Sequence, residues 1–150
     1  MRTMGSNSYM GRRRWFRSVL AGQRVVLCRT SALECLWLFS GYNQEDVIDV
    51  YALEPGKYEN INYIIVDTFD GMDVIDFGGI ICTSVNQTIN DMLHLYSVGH
   101  EKSLDEQSLV ESLASYYYSN NESFKGLKIR SENMERFNIL REWAVEYYDY

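Results

Sequence analysis

Arg12, Arg13, Arg14 and Arg17 form the one cluster in this 150-residue chain with the charge and spacing to bind something. Guanidinium forks bond phosphate oxygens and carboxylates two bonds at a time, and Trp15 beside them offers a ring to stack on. The same side chains could instead form a solvated helix face. Asp67, Asp70, Asp73 and Asp76 recur every three residues. A calcium loop needs carboxylates at alternate positions and a glutamate at the twelfth, so this series reads as turn solvation and no metal site is expected. His94 has Asp91 one helical turn before it, but no nucleophile motif accompanies it, and His100 stands alone. Phosphate-cradling glycine motifs are absent, and Gly78-Gly79 suits a bend between short strands. No catalytic residue, metal or cofactor is therefore expected, and the chain is read as non-enzymatic.

The charge is divided along the chain. Residues 1–33 hold seven arginines and no acid, whereas the remainder holds the other seven basic residues and all 21 acids, for a net charge of -7. A basic arm on an acidic body suits contact with a partner or with the body itself. The acids oppose extensive tracking of nucleic acid, so DNA binding is expected to be weak at most. Cys28, Cys35 and Cys82 have neither disulfide nor zinc spacing and read as buried, reduced core residues. No run of about 18 apolar residues suggests a membrane span, and no apolar stretch follows the arginines as in a signal peptide. A cytoplasmic location is expected.

Composition, at 46% hydrophobic with one proline, predicts a single packed domain over residues 9–150 after a disordered stretch at 1–8. The periodicity predicts a helix from Tyr9 to about Ala21. A second, apolar nearly all round, runs to about Phe39 and is capped by Thr30 or Ser31, with Ser40–Asn43 ending it. Val25–Leu27 is too short to assign. Strands follow over Val47–Leu53, Ile61–Phe69, Val74–Phe77 and Ile80–Cys82. Ser84 with Gln87 and Ser103 with Glu106 have capping-box spacing, and Ser131 can cap a last helix. The expected architecture is α+β, a small antiparallel sheet over residues 47–82 packed by helices from both ends of the chain. Its core is expected to include Leu33, Leu36, Leu38, Ile64, Val66, Ile81, Ile89, Leu93, Leu113, Phe137 and Leu140.

Three segments carry a family resemblance. They are Arg29-Thr30-Ser31-Ala32-Leu33, the strand Ile48-Asp49-Val50-Tyr51, and Gly79-Ile80-Ile81-Cys82-Thr83-Ser84 continuing into Gln87-Thr88-Ile89-Asn90-Asp91-Met92-Leu93. Over residues 24–118 the chain resembles the C-terminal domain of AbiEi-type antitoxins, the antitoxin and transcriptional-regulator halves of abortive-infection, phage-defence toxin–antitoxin systems. The resemblance implies a non-catalytic regulatory or interaction module whose functional partner is a nucleotidyltransferase-like toxin, without requiring a stable complex. It marks Ser31, Ala32, Leu33, Thr83, Ser84, Thr88 and Asp91 as structural motif positions. Read on its own chemistry, Asp91 is expected to accept hydrogen bonds from a neighbouring loop or from an arginine such as Arg29. The family usually carries an N-terminal winged helix, and too few residues precede Thr30 to build one. The alternatives are a nucleotidyltransferase-like enzyme, opposed by the lack of a magnesium-binding carboxylate pair, and an unrelated structural domain of a mobile element.

Overall fold

The computed structural model describes residues 12–39, 47–97 and 106–148. The expected disorder at 1–8, the helix stop at 40–43, His100 and the Ser103 cap fall outside these residues, as does the side chain of Arg12.

Helix α1 (Arg12–Leu20) leads into strand β1 (Val25–Leu27) and helix α2 (Arg29–Cys35). Strands β2 (Ile48–Ala52), β3 (Ile61–Ile65), β4 (Val74–Asp76) and β5 (Ile81–Thr83) follow, then helices α3 (Val85–Ser97), α4 (Glu106–Ser119) and α5 (Met134–Val145). The strands make one sheet in the order β3-β2-β1-β5-β4. The class is α+β, with helices from both chain ends packed around the sheet. The pairing corrects the expectation of an antiparallel sheet confined to residues 47–82. β1 pairs antiparallel with β2 but parallel with β5, and β2 pairs parallel with β3, so the sheet is mixed. Its centre is β1, the three-residue run too short to assign from sequence. Leu27 lies opposite Val50 on one side and Cys82 on the other.

One sheet face carries Leu27, Ile48, Val50, Ile61 and Cys82. It is covered by Trp15, Phe16, Val19 and Leu20 of α1 and by Ala32 and Cys35 of α2. Trp15 and Phe16 are fully buried, so α1 is a structural helix, with Arg14 on its exposed side. A second cluster joins α2 to α3, α4 and α5 through Leu33, Ile89, Met92, Leu93, Leu109, Leu113, Phe137 and Leu140. The opposite sheet face is thinner. Val26, Cys28 and Tyr51 are buried there, with Ile64, Val66 and Ile81 only partly covered. These last three and Leu36 are thus at the margin of the core where a central place was expected.

Local details explain three helix ends that sequence placed or capped differently. α2 stops at Cys35, short of Phe39, in a reversed turn. The amide of Trp37 donates to the Glu34 carbonyl at 3.0 Å and that of Leu38 to the Leu33 carbonyl at 2.9 Å. This is a Schellman closure, whose left-handed position usually belongs to glycine. Trp37 occupies it at φ 63°. At the start of α2, Cys28 is the N-cap and contributes no side-chain bond. Ser31, expected as a cap, instead accepts the Asp49 amide at 2.8 Å and so ties α2 to β2. α5 is likewise uncapped by Ser131, which opens a single 3₁₀ turn (Ser131–Asn133). That turn is fixed from α3: Asn133 donates from its side chain to Asn90 Oδ1 at 2.9 Å.

Candidate functional site

The motif positions converge where β5 enters α3. Ser84 Oγ accepts the Gln87 amide at 3.1 Å, the helix cap that the spacing predicts. Gln87 does not complete a capping box. Its carbonyl oxygen accepts the Asp73 amide at 3.0 Å and its amide donates to Asp91 Oδ1 at 2.9 Å. The Thr88 hydroxyl donates to the Ser84 carbonyl and lies 2.6 Å from the Thr83 hydroxyl, both threonines being fully buried. Ala32 and Leu33, also fully buried, fill the two clusters on either side of α2.

Asp91 is the hub of this joint. The Tyr51 hydroxyl donates to Asp91 Oδ2 at 2.9 Å, which links the second turn of α3 to strand β2 inside the sheet. Arg29 acts on it only through its field, with Arg130 doing the same from the α5 side. Burial raises the pKa of Asp91, and the Tyr51 and Gln87 bonds and the two arginines partly offset that rise. Burial likewise raises Asp49, which accepts the Asn62 amide at 3.0 Å, and Cys28, whose thiol is also opposed by Asp49. Tyr51 is pushed up as well, first by burial, with Cys28 and Asp91 adding to it, so its phenol keeps its proton. Arg29 itself sits at φ 51°, and its buried Nε has no hydrogen-bond partner.

Chemically, this group is a polar joint. Both Asp91 oxygens are occupied by protein donors, and the adjacent hydroxyl is a donor to it. What sequence reasoning missed is Tyr51. Its place opposite Asp91 depends on the register of β2 against β1, and no local signal gives that.

The arginines of the basic arm divide. Arg13 Nε donates to the Cys35 carbonyl at 2.7 Å, and its guanidinium lies 4.1 Å from the Trp37 ring centre and 4.0 Å from that of Phe77. Arg17 donates to the Gly78 carbonyl at 3.1 Å and to that of Phe77 at 2.9 Å. These two pin α1 to the β4–β5 turn. Arg14 is exposed. Below Arg13, the Cys35 thiol is lowered in pKa, first by the neighbouring Cys82 thiol and then by the arginine, against the opposing effect of burial. All three cysteines are buried and free of disulfides.

The spaced aspartates do not converge. Asp76 accepts the Gly79 amide at 2.8 Å, the Asp70 amide bonds the Thr68 hydroxyl, and all four carboxylates lie at exposed positions. Among the described residues there is no group of three or more potential metal ligands. His94 is exposed on α3. No helix among the described residues is long and apolar enough to cross a membrane. No protein-family model, no curated protein and no solved structure matches this chain.

Proposed function

We propose that the chain is a non-catalytic, antitoxin-like interaction module of a bacterial toxin–antitoxin system, acting in the cytoplasm against a nucleotidyltransferase-like toxin. The observation that carries the reading is the way the segments resembling AbiEi-type antitoxins meet. Ser31 holds β2 by the Asp49 amide, and Asp91 of the third segment takes the hydroxyl of Tyr51 in the second. Residues scattered over sixty positions thus serve one joint, as a fold-marking motif would. The occupancy of Asp91 by donors, and the exposure of His94, favour a binding role over acid–base chemistry.

Co-expression tests it. The gene beside this one, if it encodes a nucleotidyltransferase-like protein, is induced alone and together with this chain. Growth arrest by the neighbour, relieved by this chain and not by a variant unfolded at the joint, is the expected result. Arrest that this chain leaves untouched would refute the proposal.

A further inference from the structure

Strand β3 closes one side of the sheet, and no strand among the described residues pairs with its outer edge. Backbone directions alternate along a strand. The amide of Ile48 donates to the Asn60 carbonyl at 2.9 Å, and that of Val66 to the Ala52 carbonyl at 2.9 Å. Asn60, Asn62, Ile64 and Val66 therefore turn their backbone groups to β2, and Ile61, Tyr63 and Ile65 turn theirs outward. The Ile61 amide is taken up locally by the Tyr58 carbonyl at 3.3 Å. The amides and carbonyls of Tyr63 and Ile65 have no protein partner among the described residues.

An open edge is a template for any extended strand, and proteins usually guard it with a charge, a proline or a bulge. The far edge of this sheet is guarded: β4 has only three residues and carries Asp76. The β3 edge is not. Asn60-Ile61-Asn62-Tyr63-Ile64-Ile65-Val66 holds no charge, no proline and no glycine, and it is rich in residues that favour strand pairing. Ile65 is 50% exposed there. The strand is also held in place for pairing, since β2 binds it along its length and the Tyr63 hydroxyl donates to Gln23 at 2.8 Å.

Such an edge accepts an extended backbone, and charge decides whose. The chain carries -7, so two copies repel over most of their surfaces. The uncharged run is where that repulsion is least, and Glu59 and Asp67 just beyond it confine contact to the strand. It offers no carboxylate to a basic partner and no cation to an acidic one. A twofold axis beside the edge makes the strand its own complement, with the outward amides of one copy facing the outward carbonyls of the other.

We propose that two copies of this chain pair antiparallel through β3, joining their five-stranded sheets into one. The inference does not rest on the antitoxin reading.

The test is sedimentation equilibrium of the whole chain at rising concentration. A reversible monomer–dimer equilibrium is expected, with a Kd of about 10 μM because one short strand is a small interface. Amide exchange at Tyr63 and Ile65 should slow as the dimer fills. Ile65→Pro removes only an outward amide, a change that edge strands tolerate. Ile65→Lys supplies the kind of charge that guards natural edges. Each should weaken dimerisation at least about tenfold, with the melting temperature of the monomer kept within a few degrees. Ile75→Lys, on the β4 edge, should leave the equilibrium unchanged. If Ile65→Pro does not fold, Ile65→Lys alone decides. A parent chain still monomeric at about 100 μM overturns the proposal. So does a dimer that Ile65→Lys leaves intact, or one that Ile75→Lys weakens as much.

Discussion

Asp91 shows how a single side chain can hold an element while opposing its own charge. Its two bonds favour the carboxylate, but burial raises its pKa more than they lower it. The folded state therefore holds this proton more tightly than the unfolded chain does. Linkage then requires the Asp91 contribution to be fullest below the unfolded carboxylate pKa of about 4 and to decline as pH rises through the higher folded value. Asp49 acts in the same direction. Urea unfolding of the parent and of Asp91→Asn across pH 3 to 7 reads this directly. The substitution should cost most at the acid end and progressively less toward neutrality. A cost that grows with pH would mean that the bonds, and not burial, dominate. Asp91→Ala removes the acceptor altogether and leaves Tyr51 and Gln87 without it; a loss of about 1–3 kcal/mol is expected at every pH. The role of Asp91 as an acceptor was legible from its position in the motif. Its donor Tyr51 was not, because that residue is forty positions away and reaches it only through strand pairing.

At the scale of elements, the start of α3 could be read from sequence because its cap is local: Ser84 and the Gln87 amide are three residues apart. The end of α2 could not, since Trp37 takes a conformation that its type disfavours. A strained position of this kind costs roughly 1–2 kcal/mol in a residue with a β-carbon. Trp37→Gly should therefore be more stable than Trp37→Ala by about 1 kcal/mol in chemical denaturation, both having lost the Arg13 stack equally. Equal stabilities would show that the turn opens when the indole is removed. The entry to α5 is another element fixed from a distance. Asn86 and Asn90 on α3 hold the backbone of residues 126–130: Asn90 Nδ2 donates to the Lys128 carbonyl at 2.9 Å, its Oδ1 accepts the Arg130 amide at 2.9 Å, and Asn86 Oδ1 accepts the Lys128 amide at 2.8 Å. This explains why no side chain caps α5. Asn90→Ala leaves several buried partners unsatisfied and should cost about 2–4 kcal/mol. Hydrogen exchange should speed up at Lys128 and Arg130 before it does in the sheet. Uniform acceleration throughout would mean that the clamp belongs to the global core.

For the molecule as a whole, the helices and the α+β class were legible because amphipathic period is a local signal, whereas of the expected caps only that of Ser84 is seen among the described residues. The sheet order was not. β1 contributes only Val25–Leu27, and its central place is set by partners on both sides that lie far along the chain. The same long-range logic decides what the basic arm does. The sequence presents four arginines as one cluster, but the fold turns Arg13 and Arg17 onto backbone carbonyls of Cys35, Phe77 and Gly78 and leaves Arg14 outward. Part of the charge division between arm and body is thus spent within the molecule, fastening α1 to the far end of the sheet. A four-arginine variant would mix two effects, so single substitutions are needed. Arg13→Ala and Arg17→Ala should each destabilise by about 1 kcal/mol or more, since each loses a charged donor to a carbonyl and Arg13 also loses two ring contacts. Arg14→Ala should change stability by less than about 0.5 kcal/mol, as isolated surface substitutions do. Affinity for the proposed toxin partner or for DNA, measured on the same three proteins at two salt concentrations, then separates the roles. If the arm is a contact surface, Arg14→Ala weakens binding at full stability and the loss shrinks in high salt, where exposed charges are screened. If binding falls only in Arg13→Ala and Arg17→Ala, and only in proportion to their lost stability, the arginine cluster serves the fold and the partner must read another face.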